Sequence, residues 1–216
     1  MLSRKYTPLD RFIIEVDQIL VAVCSTNQVT EHHRPSPATD VADTPLDSAE
    51  RRHSEGLMRV NHAGEVSAQA LYQGQALTSH DTRVRQSMQQ SAREEVDHLA
   101  WCAQRLNELG GHTSYLNPFW YLGSFTIGIL AGLTGDKWSL GFVAETERQV
   151  VSHLQGHIQE LPQQDLKSRA IVKQMMEDET QHGVTAMETG GVELPSVIRK
   201  LMKISSQVMT KTAYWI

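Results

Sequence analysis

The chain has 216 residues, of which 40% are hydrophobic and 21% are charged, a composition typical of one soluble domain with its own core. Its formal net charge of -5 argues against nucleic acid as a partner, and the sequence contains no zinc finger, phosphate-binding loop or dinucleotide-binding glycine motif. Cys24 and Cys102 form no CxxC pair, so we expect reduced thiols in a cytosolic protein.

Residues 1–46 are predicted to be an appendage to the main domain. Positions 9–23 carry apolar residues at helical spacing, with acids off the apolar face, which indicates a short amphipathic helix. Positions 25–46 hold three prolines among polar residues and predict a mobile linker. The main domain is then predicted to cover 47–216.

Helical periodicity dominates the main domain, and no strand pattern competes with it. Four long helices are predicted over 48–80, 82–109, 136–161 and 164–189. Asp47 and Glu50 have the spacing of a capping box, Asp136 is the predicted cap of the third long helix, and Pro195 can open a last amphipathic helix. An uncharged crossover, 113–135, joins the two helical hairpins. The predicted fold is all-α: a ferritin-like four-helix bundle with an apolar crossover helix and a C-terminal amphipathic helix.

Two Glu-x-x-His motifs stand out, at Glu95-Val96-Asp97-His98 and Glu179-Thr180-Gln181-His182. Residues three apart share one helix face, so a carboxylate and an imidazole at this spacing can bind one metal ion together. Either motif alone is a weak signal, because surface helices contain it by chance. However, each motif follows a helix with a glutamate in an apolar setting, Glu65 before the first and Glu147 before the second. This duplication implies a pseudo-twofold arrangement around a shared centre.

All the candidate ligands share helical stripes with apolar residues, and we therefore expect them to point into the bundle. Unpartnered buried carboxylates cost several kcal/mol each, so four that converge require cations. The alternative of solvated glutamates and surface histidines does not fit these stripes. Four carboxylates and two imidazoles suit two Fe or Mn ions better than Zn, and a reduced di-iron centre can bind O2. The predicted ligands are Glu65, Glu95, His98, Glu147, Glu179 and His182.

Glu94 and Asp178 each directly precede the glutamate of a Glu-x-x-His motif. An acid at this position can accept the outer N–H of a ligand imidazole, either within one half or across the pseudo-twofold. The alternative is a pair of solvated helix acids.

Four stretches make the sequence recognisable. Arg59-Val60-Asn61-His62-Ala63-Gly64-Glu65, Tyr72-Gln73-Gly74-Gln75, Glu94-Glu95-Val96-Asp97-His98 and Glu177-Asp178-Glu179-Thr180-Gln181-His182 together resemble the demethoxyubiquinone hydroxylases of ubiquinone biosynthesis. The resemblance covers about 50–216 and implies a di-iron monooxygenase. Such an enzyme uses O2 and an external reductant, NADH or a reductase, to hydroxylate the free ring carbon of a polyprenyl methoxy-methyl-benzoquinol.

The resemblance also implies location and partners. Because a polyprenyl tail keeps the substrate in the bilayer, we expect a peripheral enzyme on the cytoplasmic face of the bacterial inner membrane. Other ubiquinone-biosynthesis proteins are candidate partners. Residues 1–46 look like the N-terminal extension of the bacterial members.

Three further histidines lie near predicted ligands. The resemblance makes His153, six residues after Glu147, a candidate near the site, and a helix-surface histidine is the alternative. His157 is expected at the helix surface. His62 precedes Glu65 by three, and we expect it to pack or hydrogen-bond at the helix beginning rather than bind metal.

Residues 113–135 contain 23 uncharged residues, enough in principle to span a bilayer. A single span would put the two hairpins on opposite sides of the membrane, so that the four-helix site could not assemble. We therefore predict an interfacial crossover helix with Trp120 and Tyr121 at headgroup depth. The C-terminal helix, with Arg199, Lys200, Lys203 and Lys211 beside apolar residues, indicates contact with anionic lipid, and a bundle-covering helix is the alternative.

Two other functions compete with quinol hydroxylation. Iron oxidation and storage predicts a soluble shell, which the apolar stretch 113–135 argues against. A membrane-bound, lipid-carrying scaffold without metal would not need all six predicted ligands.

Overall fold

The computed structural model describes residues 34–216, and this part of the chain contains six α-helices and no strand. They are α1 (Ser48–Thr78), α2 (Thr82–Leu109), α3 (Asn117–Leu133), α4 (Asp136–Glu160), α5 (Leu166–Glu188) and α6 (Ser196–Ala213). Helix α1 packs along α2 and α4 along α5, so the two predicted hairpins form the bundle, with α3 as the crossover. The all-α prediction is confirmed, whereas the helix predicted within 9–23 lies outside the described residues.

The helix ends follow the local sequence signals with one exception. Asp47 Oδ1 accepts from the backbone N–H groups of Ala49 and Glu50, and Glu50 Oε2 accepts from that of Asp47, which confirms the capping box. Helix α2 ends at Gly110, whose φ of 79° lies in the left-handed region.

The predicted capping role of Asp136 is wrong. Asp136 is the first residue of α4 rather than its cap, and no side chain of residues 34–216 caps that helix. Its carboxylate instead accepts from Ser79 Oγ and from the backbone N–H of Asp81, both at 2.8 Å. It therefore ties the start of α4 to the α1–α2 connection.

Helix α3 lies unusually close to α1, because glycines face each other where the two helices cross. A Cβ atom built on Gly74 would come within 2.4 Å of Phe125 O, and one on Gly128 within 2.4 Å of Leu71 O. Hydrophobic as it is, α3 is docked on the bundle. Across residues 34–216, no helix is both long enough and apolar enough to cross a bilayer.

The described part of the predicted linker, 34–46, packs against the bundle rather than standing clear of it. Ala38 is buried in the same cluster as Leu57 and Trp101. Arg34 forms ion pairs with Asp97 and Asp178. A domain boundary at residue 47 remains a prediction.

Helix α6 is anchored mainly at its C-terminal end. The Arg59 guanidinium donates to Tyr214 O at 2.8 Å and to His112 O at 2.9 Å, and Ala213 is the one fully buried residue of α6. The rest of α6 leaves much apolar surface exposed, with Leu201, Ile204 and Val208 each more than half exposed. As a cover for the bundle, α6 is therefore incomplete.

Candidate metal centre

The structure brings the six predicted ligands together inside the bundle. Glu65 comes from α1, Glu95 and His98 from α2, Glu147 from α4, and Glu179 and His182 from α5. Their donor atoms form two clusters, one of Glu65, Glu95, His98 and Glu179 and the other of Glu147, Glu179 and His182, each within 4.8 Å. Since Glu179 belongs to both clusters, one carboxylate can bridge two cations.

Local spacing and helix packing both contribute to this geometry. The three-residue spacing places Nδ1 of His98 3.1 Å from Glu95 Oε2, and Nδ1 of His182 3.0 Å from Glu179 Oε2. Packing of α2 against α5 then sets His98 Nδ1 2.9 Å from Glu179 Oε1. Each Nδ1 atom therefore faces carboxylates of both halves, as the predicted pseudo-twofold requires.

The outer nitrogens of the two histidines are partnered across the pseudo-twofold. His98 Nε2 lies 2.9 Å from Asp178 Oδ2, and His182 Nε2 lies 2.7 Å from Glu94 Oε2. With each Nε2–H donating to an acid, both rings point Nδ1 at the carboxylates of the centre, where Nδ1 could bind a metal ion once its proton is lost. The structure thus places Glu94 and Asp178 beside the histidine of the opposite half, and their role as partners of ligand imidazoles stays a prediction.

The electrostatics of the clusters call for positive charge. Burial, with the charges of Glu95 and Glu179, raises the pKa of Glu65 well above its ordinary value. Burial and the Glu179 charge do the same for the pKa of Glu147. Burial lowers the pKa of His182, but hydrogen bonds that its imidazole donates to Glu179 and Glu95, together with the charges of these carboxylates, raise that pKa to about 12.

Orphaned oxygens show that a cation fits. Both oxygens of Glu147 are buried without a hydrogen-bond donor among the described residues. Buried carboxylate oxygens are normally satisfied, and a metal ion would satisfy both of these at once. Oxygen and imidazole donors without thiolate suit iron or manganese. The assignment of all six as metal ligands stays a prediction.

A cavity of about 600 Å³ opens beside Glu65 between α1, α3, α4 and α6. Apolar side chains dominate its wall, and its polar groups include Asn61, His153 and His157. Five of the apolar residues that line it are also exposed to solvent and are here called the apolar rim: Phe119, Ile127, Ile198, Leu201 and Val208. The candidate centre is therefore connected to an apolar part of the surface.

The cavity contains functional candidates that the sequence interpretation missed. His157, expected at the surface, is only 9% exposed, and its Nδ1 lies 2.7 Å from Asn61 Oδ1. Burial lowers the pKa of His157 to about 4. The signal was available, because Asn61 precedes Glu65 by four residues and His157 follows the apolar Leu154 by three, so each shares a helix face with a residue expected in the interior.

The other histidines follow the predictions more closely. His153 lines the cavity and makes no contact with the clusters, so it lies near the site without joining it. His62 is buried and within 3.4 Å of Asn117 Nδ2, in the middle of α1 rather than at its beginning. Cys102 is buried and unpaired, and Cys24 lies outside the described residues.

Comparison with known proteins decides the family. The family model described as "Ubiquinone biosynthesis protein COQ7" matches residues 52–213. The chain belongs to the COQ7 family. The matched range contains both carboxylate–histidine clusters and the Asn61–His157 pair.

Close relatives of this COQ7-family chain carry one name. A protein of Nitrosococcus oceani called 3-demethoxyubiquinol 3-hydroxylase is 59% identical over 216 residues, 100% of each chain. A protein of the same name from Legionella pneumophila strain Paris is 57% identical over 209 residues, 96% of this chain and 97% of its own. One from Polynucleobacter necessarius is 55% identical over 209 residues, 96% of this chain and 99% of its own. The family resemblance stated from the sequence motifs is confirmed.

Proposed function

We propose that this COQ7-family chain is a di-iron monooxygenase that hydroxylates the free ring carbon of demethoxyubiquinol, a polyprenyl methoxy-methyl-benzoquinol, with O2. The observation that carries the proposal is the pair of buried clusters that share Glu179. Glu65 of the first cluster lines an apolar cavity that is large enough for a substituted aromatic ring. The names of the relatives support the same substrate.

Six residues would hold the metal ions. Glu65, Glu95 and His98 would hold one iron and Glu147 and His182 the other, with Glu179 between them. When reduced by NADH or a reductase, two irons at this position supply the activation of O2. The protein surrounds them with packed side chains, which keeps bulk water from the reacting ring.

The ring would be oriented by the Asn61–His157 pair. Since the Asn61 amide oxygen faces Nδ1 of His157, that nitrogen carries the proton and Nε2 is left as an acceptor. An acceptor in the cavity wall can take a hydrogen bond from a quinol hydroxyl, and a quinone carbonyl has no proton to donate to it. The cavity is thus suited to the reduced ring, whose hydroxyl groups also make the free carbon electron-rich.

The polyprenyl tail would remain in a bilayer. Withdrawing it costs about 0.8 kcal/mol for each CH2 group, so the enzyme has to come to the membrane. The apolar rim gives the ring a path between α3 and α6, and Arg199, Lys200 and Lys203 on α6 can attract anionic headgroups. We propose peripheral binding at the cytoplasmic face of the bacterial inner membrane.

Iron content and turnover test the proposal together. The pure protein made in iron-rich medium should carry close to two irons per chain and hydroxylate demethoxyubiquinol in the presence of reductant and O2. Glu179→Ala should lower the iron content and abolish turnover, whereas Glu177→Ala, an exposed acid of the same helix, should change neither. Full iron and full activity in the Glu179 variant would remove that residue from the centre.

A deletion strain tests the substrate. It should accumulate a demethoxy-quinone and recover ubiquinone when the gene is returned. Accumulation of a different intermediate would assign another ring position to the enzyme.

A further inference from the structure

The two halves of the metal centre differ in what surrounds the outer nitrogen of the histidine. On the His98 side, Asp178 accepts from His98 Nε2 and, through the same oxygen, from Arg34 Nη2 at 2.8 Å. Arg34 Nε donates to Asp97 Oδ2 at 2.9 Å, and the Arg34 backbone N–H donates to Asp97 Oδ1 at 3.3 Å. One arginine from the segment before α1 thus joins an acid of α2 to an acid of α5.

Trp101 holds this arginine in place. The guanidinium carbon of Arg34 lies 4.9 Å from the centroid of the Trp101 ring, and Trp101 Nε1 donates to Arg34 O at 3.2 Å. The Trp101 ring is buried and lies 5.3 Å from the ring of His98. Arg34 Nη2 comes within 3.5 Å of His98 Nε2. Arg34 is therefore held by hydrogen bonds of its backbone, by stacking of its guanidinium on Trp101 and by its ion pairs. It covers the outer edge of the His98 imidazole.

The corresponding edge of the other half is less covered by the described residues. Glu94, which takes the Nε2–H of His182, accepts its other hydrogen bond from the amide of Gln90 at 2.6 Å. Within the chain from residue 34 onward, no arginine or lysine pairs with Glu94, and its side chain is 37% exposed, against 17% for Asp178. The two outer carboxylates thus differ in restraint and in access to water, although their sequence positions match.

We propose that Arg34 is a positioning residue of the metal centre, one that fixes Asp178 on His98 and makes the metal ion beside His98 slower to leave than the ion beside His182. The inference rests on the metal-binding role in the proposed function. A ligand imidazole whose outer N–H has a fixed acceptor keeps its orientation, and loss of such a partner typically weakens metal binding 10- to 100-fold. Arg34 suits this task because its planar fork can reach two carboxylates at once.

Metal release to a chelator tests the inference on the full chain. The protein is loaded with Fe(II) under anaerobic conditions, and release is followed after a colour-forming Fe(II) chelator is added. The wild type should release its two ions in two phases. Arg34→Gln should speed the slow phase by about 10- to 100-fold and leave the fast phase unchanged. Arg34→Lys, which keeps the charge but loses the fork, should lie between them.

A matched control and a spectroscopic measurement separate this role from a loss of folding. Arg83→Gln removes an arginine of α2 whose pair with Asp81 is exposed, and it should leave both phases unchanged. Circular dichroism verifies that each variant is folded, and Mössbauer spectra should change for one of the two irons in Arg34→Gln. The inference would be overturned if the wild type released both ions at the same rate, or if Arg34→Gln accelerated both phases equally. A wild type that takes up no metal would instead contradict the proposed function.

Discussion

Glu147 offers a test in which stability and metal binding respond in opposite directions. Its two oxygens are buried without a hydrogen-bond donor in residues 34–216, and burial and the neighbouring Glu179 raise its pKa well above its ordinary value of 4.5. An unsatisfied buried polar group costs about 1–3 kcal/mol. Glu147→Gln removes the charge and introduces an N–H that can donate to Glu179. We expect the metal-free variant to be more stable than the wild type by about 1–3 kcal/mol.

Iron should reverse the order. Ligand at about 1,000 times its dissociation constant stabilises the folded state by roughly 4 kcal/mol, and the wild type should gain this stabilisation. The variant lacks one carboxylate of the His182 cluster and should gain much less. Urea unfolding without oxygen, once in chelator and once in excess Fe(II), shows which of the two proteins has the higher free energy of unfolding in each condition. In thermal melts, each kcal/mol of change in the free energy of unfolding shifts the Tm by roughly 2–4 °C for a chain of this size.

The pH dependence gives a second readout of the same group. Below pH 4.5 the Glu147 carboxyl is protonated in the folded and the unfolded chain, so the metal-free variant and wild type should be equally stable there. As the pH rises, the unfolded chain ionises first, and the wild type loses stability until the pH passes the raised pKa of the folded state. The advantage of the variant should therefore grow with pH through this window.

Glu145 provides the control. It lies two residues before Glu147 on α4 and is also buried, but its oxygens pair with Arg148 at 2.8 and 2.9 Å. Since Arg148 is largely exposed, Glu145→Gln should cost at most about 1 kcal/mol, with iron and without it. The reasoning about Glu147 is refuted if its metal-free variant is less stable than the wild type, or if iron stabilises both equally.

Three further predictions address α3 and α6. Gly128→Ala should force α3 away from Leu71 O and lower the free energy of unfolding by about 1–3 kcal/mol in urea, whereas Gly123→Ala, where a Cβ meets no atom within 4 Å, should not. Ile127→Asp should impair turnover of long-tailed demethoxyubiquinol and spare iron content and a tail-less analogue, and equal loss on both substrates would assign the residue to the fold. Removing the charges of Arg199, Lys200 and Lys203 on α6 should weaken binding to anionic vesicles by about 1 kcal/mol per charge, measured by vesicle flotation. Unchanged binding at low salt would contradict a lipid contact.

The sequence by itself determined the helices and the faces of the metal-binding residues. Helical periodicity is a local property, so the apolar stripes and the Asp47 capping box predicted α1 and α2 to within two residues. The spacing of Glu-x-x-His likewise fixes which side chains share a face, whatever the rest of the fold does. Recurrence of the pattern after Glu65 and Glu147 was then enough to predict one shared centre.

Only the tertiary structure decided how the faces meet. The partner of His98 is Asp178, 80 residues away, rather than an acid of its own helix, because the rotation and register of α2 against α5 select among acids that look equivalent in sequence. The same holds for Asn61 and His157, 96 residues apart, and for Arg34, 144 residues from Asp178. Local spacing states where a side chain points, but a hydrogen bond of under 3 Å depends on the placement of two separate helices, and that placement is set by packing over the whole core.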